Sequence, residues 1–459
     1  MCVCVCDHCR LSSWALLLSP LTSLSPPPRV RHVFFIFRTM GPSALLLHGS
    51  ASRMYSRWID DITDNQAQSG QLPEVAPGPV LDDGYNGAWW GGMGVFGPWM
   101  LYSFSGNPTH LTRHYPAMRA YTLFLNASAK TDGSSDIPWG LGDWLSLLPS
   151  CAHDSAGINT PALAFYAHIM SQAAQLLGSG VTGNDATLFA SLSMAVSQAY
   201  LARRLNATSG AVGSGQQCMQ ALALGLYGDF LPASQRPAVE AALLDRLASD
   251  GTALTTGFVT FTRMLQVLAD LNPAAGLEVL LQRGALGTWS NTGGSSNDLC
   301  KEQWDGGDAQ MPSLCGPLAL WSFSALMGLR PPPFLAPTAS SSPPLYPPAS
   351  APGLVTLAIK PGAVGVLGLR WVNASLTLPA GVVTVAWFLD ATVHHLKLLV
   401  VLPPDTSAVV HMPAALDSVV ESGRPAAEAP GVQVLGQYGR FALLQVQSGA
   451  YAFEGKPNL

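Results

Sequence analysis

The acidic and aromatic residues that share short phrases are the groups best able to do chemistry in this chain. Glu302 stands in CKEQWDGGD, next to Trp304 and Asp305; Asp143 and Trp144 close the phrase GLGDW, with Trp139 just upstream; Trp90 lies in GAWWGG. A carboxylate beside an indole is suited to sugar, because a sugar ring presents hydroxyls at its edges and apolar C–H patches on its faces. A carboxylate held against Trp304 could also titrate high through desolvation, as acid–base work requires. Each reading has a plainer rival. Glu302 could be a solvated loop acid, Asp143 could cap a helix starting at Trp144, and Trp90, with Trp89 beside it, could be a core indole. Asp305 could assist Glu302 or hold its loop, and Glu74 in LPEVAP could cap one.

Composition narrows the partners. Of 459 residues, 48% are hydrophobic and 11% charged, and the net charge is −5, with no basic stripe. Nucleic acid and anionic membrane are therefore poor partners, and a largely neutral polar surface is compatible with a neutral ligand such as sugar. No uninterrupted run of roughly 18 apolar residues is present, so a membrane-spanning helix is not expected. Four of the 8 cysteines, Cys2, Cys4, Cys6 and Cys9, crowd into MCVCVCDHC, while Cys151, Cys218, Cys300 and Cys315 are scattered. The first cluster, with His8, has the soft ligands of a zinc or copper site, but no second ligand pair follows at finger spacing, and an unstructured leader explains it more simply. Residues 11–25, LSSWALLLSPLTSLS, resemble a weak signal peptide broken by Pro20, and Asn126, Asn206 and Asn373 open glycosylation sequons that would matter only in a secretory compartment.

The elements that must position these groups follow from periodicity. Met54, Trp58, Ile59 and Ile62 recur at helical spacing, and helices are expected near 98–106, 111–125, 159–178, 183–205, 217–227, 234–249, 257–270, 274–283 and 316–328. Short Gly- or Pro-containing breaks between them imply antiparallel hairpins. Residues 331–353, PPPFLAPTASSSPPLYPPASAPG, read as an extended connector. Beyond it VTLAIKP, VVTVAWFL, HLKLLVVLP, SAVVHMP and RFALLQVQSGAYAF alternate as strands of an antiparallel β-sandwich.

Specific phrases carry a resemblance. SRWIDDITDNQAQSGQLPEVAP at 56–77, GPWMLYSFSGNPTHLTRHYPAMRAY at 97–121, GLGDW at 140–144, TTGFVTFTRMLQVL at 255–268, KEQWDG at 301–306 and the tail from Trp387, with LPPDTSAVVHMP, VVESG and SGAYAF, resemble glycoside hydrolase family 78, the α-L-rhamnosidases. The resemblance spans residues 54–459. It implies an (α/α)6 six-hairpin barrel over 51–330, incomplete at its start and preceded by an irregular leader over 1–50, then the connector and a C-terminal β-sandwich over 354–459. It further implies inverting hydrolysis of terminal α-linked rhamnose from a glycoside or polysaccharide, without a cofactor or metal. Two carboxyls roughly 6.5–9.5 Å apart would serve, one protonating the leaving oxygen and one activating water. On this resemblance Glu302 is the general base, and Asp143, Trp144, Trp90, Trp139, Trp304 and Asp305 surround the sugar.

Departures accompany it. The family's general acid lies in an R-D-E-R phrase ahead of the helix at Met54, where this chain reads VFFIFRTMGPSALLLHGSASRMYS, and no glutamate precedes Glu74. SLCG replaces SLNH at 313–316, putting Gly316 where a histidine is expected, and the Asp that follows the rim tryptophan is Gly92. The expectation is a truncated or misassigned start. Alternatives are a sugar-binding remnant and another α/α-barrel glycosidase.

Overall fold

The computed structural model describes residues 3–5, 32–33, 42, 45–46, 51–76, 87–226, 231, 234–281, 316–330 and 356–458. Helices fill the first part and strands the last. Among the described residues four helical hairpins follow one another: Met93–Ser105 with Thr109–Ser128, Ser155–Leu177 with Asp185–Arg204, Gln217–Leu226 with Arg236–Ser249, and Phe258–Leu271 with Pro273–Leu281. In the first three pairs the first member is the more apolar. Met93–Ser105 buries every residue from Met93 to Phe104, whereas Asp185–Arg204 buries one narrow stripe. These first members also pack on each other in chain order, so they form an inner layer and their partners an outer one. Ala51–Asp64 packs on Met93–Ser105, and Gly316–Trp321 continues the inner layer against Phe258–Leu271.

Several helices run longer than their sequence signals suggest. Met93–Ser105 contains Pro98 and Ser155–Leu177 contains Pro161, residues expected to sit near a helix start. Proline removes one intrahelical hydrogen bond, and dense burial on both sides of each proline compensates for it. The short helices Ala88–Gly91, Pro149–Ala152 and Ser179–Thr182 were not expected.

The sandwich has two sheets. One orders its strands Val3–Val5, Trp371–Leu378, Gly381–Asp390, His395–Leu402, Gly449–Gly455, Val420–Glu421 and Arg424–Pro425. The other runs Val432–Tyr438, Phe441–Val446, Ser407–Met412, Thr356–Ile359 and Leu329–Arg330. Burial alternates residue by residue along Trp371–Leu378, the pattern of a sheet with one wet face. One pairing corrects the purely antiparallel expectation: Thr356–Ile359 lies parallel to Ser407–Met412. Two such strands need a crossover, and the 45-odd residues between them, which hold three strands of the other sheet, supply it. Leu329–Arg330, directly after the π-helical turn Ser322–Met327, pairs with Ile359 and Ala358, so the helical part feeds straight into the sandwich. The Trp387 indole N–H, donating to the Leu326 carbonyl at 2.8 Å, joins the two parts again.

Of the 1–50 leader, Val3–Val5 is an edge strand beside Trp371–Leu378, and His32–Val33 pairs with Val75–Ala76. Most of that segment, the whole 331–353 connector, and Glu302, Trp304 and Asp305 lie outside the described residues. Among the described residues no helix is long and apolar enough to cross a membrane.

Candidate active site

Loop length differs between the two ends of the helical layers. Two inner-to-outer connections are very short, 106–108 and the single residue Asn272, whereas the outer-to-inner stretch 129–154 is the longest that lies wholly within the described residues. Because the hairpins alternate direction, the inner helices run parallel and the described outer-to-inner connections, 129–154, 205–216 and 250–257, meet their N-termini at one end. Long loops on a rigid scaffold are where binding and catalytic groups concentrate.

The 129–154 loop is fixed along its length. Arg203 forks onto Asp136, with Nη1 to Oδ2 at 2.9 Å and Nη2 to Oδ1 at 2.8 Å, and also donates to the Ser134 carbonyl at 2.7 Å. This guanidinium holds the Asp136 carboxyl below the ordinary carboxylate range. Fully buried Asn159 donates through Nδ2 to the carbonyls of Trp139 at 3.1 Å and Leu141 at 2.8 Å. Gly87 stands so close to the same amide that a Cβ there would strike Asn159 Oδ1. Gly87 also donates its N–H to the buried Glu74 carboxylate at 3.3 Å, which agrees with a loop-holding part for Glu74. The 71–76, 87–92 and 136–141 segments therefore converge on Asn159.

Asp143 makes the decisive contact. Its carboxylate, 0% exposed, accepts the N–H groups of Gly257 at 2.6 Å, Val259 at 2.9 Å and Thr260 at 3.1 Å, together with the Thr260 hydroxyl. These are first-turn donors of Phe258–Leu271, which no intrahelical acceptor can reach. Asp143 thus caps a helix 114 residues downstream, not one that starts at Trp144, where the chain makes a turn. Burial pushes its carboxyl up to about 6, against the lowering by Thr260 and the backbone donors. The two segments lie nearly in contact: Phe258 N–H donates to the Trp144 carbonyl at 2.9 Å, and a Cβ on Gly257 would fall on the carbonyls of Asp143 and Trp144. On the other flank Asp143 N–H donates to Cys151 O at 2.9 Å, and Cys151 is disulfide-bonded to Cys218. Closing a loop of 67 residues, that bond stabilises the fold by about 4 kcal/mol in the chain-entropy account.

The indoles divide between core and surface. Trp144 keeps 39% of its surface exposed although its backbone is pinned on both sides. Trp139 is half-buried against Phe124, ring centres 6.1 Å apart. Trp90 is 3% exposed, and Trp89 is buried with its N–H donated to Ile158 O at 2.6 Å. Gly92 has a physical reason to lack the expected carboxylate: a Cβ there would sit on the Tyr166 phenol. Sequence reasoning singled out the loop but missed Asn159, Thr260, Gly257 and the disulfide that lock it. Of the four aspartates in this loop, Asp136 is held by Arg203, Asp143 by the helix amides and Asp154 by Arg204 and the Gly157 N–H, while Asp132 accepts the Ser134 N–H at 2.9 Å; beside them the loop exposes the Trp144 indole.

Residues 39–318 match the family described as the bacterial α-L-rhamnosidase six-hairpin glycosidase domain. The chain belongs to that family. Residues 348–426 match the bacterial α-L-rhamnosidase C-terminal domain. Among curated relatives, an α-L-rhamnosidase of Streptomyces avermitilis is 26% identical over 292 residues, 61% of this chain and 27% of that protein. Another, from an Alteromonas species, is 22% identical over 349 residues, 72% of this chain and 35% of the relative. This six-hairpin chain therefore spans about a quarter to a third of their lengths. The fold is similar to the solved S. avermitilis α-L-rhamnosidase in complex with L-rhamnose, with a TM-score of 0.76, 23% identity, and 93% of this chain and 38% of that one covered. It is likewise similar to the Dictyoglomus thermophilum α-L-rhamnosidase, with a TM-score of 0.77, 19% identity, and 93% and 46% covered.

Proposed function

We propose that the chain is a glycoside hydrolase that releases terminal α-L-rhamnose from a rhamnose-containing glycoside or polysaccharide by an inverting acid–base mechanism. The observation that carries this reading is the unbroken family match over 39–318, which takes in both the loop of Asp143 and the phrase of Glu302. Relatives named α-L-rhamnosidases and a similar fold solved with L-rhamnose support the substrate class. Glu302 would be the general base, activating a water on the face of the sugar opposite the leaving oxygen. Its segment, 282–315, stands in chain order ahead of an inner helix, as the loop of Asp143 does. Trp144 would give an apolar face to the ring, with Trp139, Trp304 and Asp305 around it. Asp143 would be a positioning residue, because its carboxylate is spent on the helix that holds the loop. Trp90, buried, would support the rim from behind.

The test is rhamnose release from an aryl α-L-rhamnoside by the full chain and by Glu302→Gln. The expected loss in kcat is roughly 10² to 10⁴, the usual worth of a general acid or base, with little change in KM. Equal turnover by the two proteins would refute the base assignment. A second reading is favoured by one observation, the lack of any glutamate ahead of Glu74: the chain binds the sugar and turns it over poorly. Saturable rhamnose binding without detectable release by either protein would establish that reading.

A further inference from the structure

The C-terminal end of the helix Phe258–Leu271 opens on a cavity of about 390 Å³ where the helical part meets the sandwich. Its wall carries Arg330, Lys360, Arg440 and a single carboxylate, Asp270. Arg330 is nearly buried, its side chain 7% exposed; it donates to the Ala269 carbonyl at 3.1 Å and lies 3.1 Å from Asp270 Oδ1. The Lys360 ammonium reaches the same oxygen only at 3.4 Å. Arg440 stands 5.0 Å from the centre of the Phe441 ring, and no carboxylate within ion-pair distance of it is found among the described residues. Lys360 is 5.4 Å from the same ring, so the two cations flank one aromatic side chain. The helix Pro273–Leu281 begins at this wall, through Asn272, Pro273 and Ala274, and adds the partial positive charge of its N-terminus.

Charge in this cavity is out of balance. Three full cations face one carboxylate, whose side chain keeps 51% of its surface in solvent. Arg236, paired with Glu240 on the neighbouring helix, adds further positive potential at Asp270. Burial, with Arg330 reinforcing it, holds the Lys360 ammonium below its ordinary value despite the opposing pull of Asp270. Guanidinium groups match the geometry of oxyanions, and a partly enclosed site makes each such contact stronger than it would be in open water.

We propose that this cavity between the helical part and the sandwich binds a small oxyanion, which takes the donors of Arg440 and Lys360 that Asp270 leaves unfilled. The ligand is the phosphate or sulfate dianion, or the carboxylate of an acidic sugar, and the three share the chemistry of a planar or tetrahedral array of acceptor oxygens.

Calorimetric titration of the full chain at constant ionic strength tests it, with inorganic phosphate, inorganic sulfate and galacturonate as probes and rhamnose as the neutral control. Saturable one-to-one binding of at least one anion is expected, weakened tenfold or more in Arg440→Gln and in Lys360→Gln. Arg440 is exposed and in no ion pair among the described residues, so its replacement should leave the far-ultraviolet circular dichroism and thermal unfolding of the free protein unchanged. Binding of galacturonate alone would assign the site to acidic sugars, and binding of phosphate and sulfate would assign it to inorganic anions; either outcome supports the proposal. Absence of saturable binding by all three probes, or the same affinity in both variants as in the parent, would overturn it. The readout is anion binding and not rhamnose release, so such a failure leaves the glycosidase reading untouched.

Discussion

The helix Phe258–Leu271 has an aspartate serving each end, and the two are used in opposite ways. Asp143 reaches its N-terminus from a distant loop, is wholly buried and touches only uncharged donors. Asp270 belongs to its last turn, keeps 51% of its side chain in water and is ringed by cations. A helix favours negative charge at its first turn and disfavours it at its last, so dipole sign alone would depress the first carboxyl and raise the second. The reverse holds. Burial drives Asp143 up to about 6, while at Asp270 the charges of Arg330 and Lys360 overcome the desolvation that would raise it, and the group stays low. Depth and neighbouring charge therefore outweigh the helix dipole here. The buried end is built for fixed geometry, and the wet end for surplus positive charge.

The sharpest way to break this contrast is Asp143→Ala. Three backbone N–H groups and the Thr260 hydroxyl would lose their acceptor inside the protein, each such loss costing about 1–3 kcal/mol before relaxation. We expect roughly 4 kcal/mol of destabilisation in chemical denaturation, together with greater mobility of the indole seen in the fluorescence anisotropy decay of a variant keeping Trp144 as its reporter. A loss below about 1 kcal/mol would mean that water or a shifted loop satisfies these donors, and the description of a rigid cap would fall.

Asp143→Asn sharpens the same end through pH. The folded-state value, about 6, lies above the ordinary 3.8, so the folded protein binds the proton more tightly than the unfolded chain does. The stability this carries is fully present below about 3.8 and is lost as pH rises through about 6. Asparagine does not titrate. The unfolding free energy of the parent relative to Asp143→Asn should therefore fall by roughly 2 kcal/mol between pH 4 and pH 7. A flat difference would show that the helix amides keep the carboxylate ionised throughout.

Much of the scaffold could be read from periodicity. The pattern of 257–270 found the helix now bounded as Phe258–Leu271, and the alternation of VVTVAWFL found the core of Gly381–Asp390. What could not be read were contacts set by the packing of distant segments. Asp143 and Gly257 are 114 residues apart, and a local reading could offer only a helix beginning beside Asp143 as the capped partner. The four scattered cysteines gave no pairing, and only the fold brings Cys151 to Cys218. Nor does composition separate one indole from another: Trp90 and Trp144 both stand in glycine-rich phrases, yet one is 3% and the other 39% exposed. Gly92 looked like a lost carboxylate and is explained by the nearby Tyr166 phenol, which leaves no space for a side chain.

The mildest test falls on the wet end. Asp270→Asn removes the one carboxylate of the cavity, but that carboxylate is itself half exposed, so solvent screens its ion pairs to Arg330 and Lys360 and they contribute only about 1 kcal/mol. Arg330 also keeps its bond to the Ala269 carbonyl, so the helix end retains a cationic cap. Because Asp270 titrates low, whatever stability it supplies is present above its ordinary range and is lost as pH falls through the folded value, the opposite sense to Asp143. The same substitution should tighten phosphate binding several-fold, since it takes away the competing anion and leaves all three cations in place. A variant that loses stability strongly and gains no affinity would make the cluster a domain clamp in which Asp270 neutralises its neighbours, and the contrast between the two ends of the helix would reduce to depth alone.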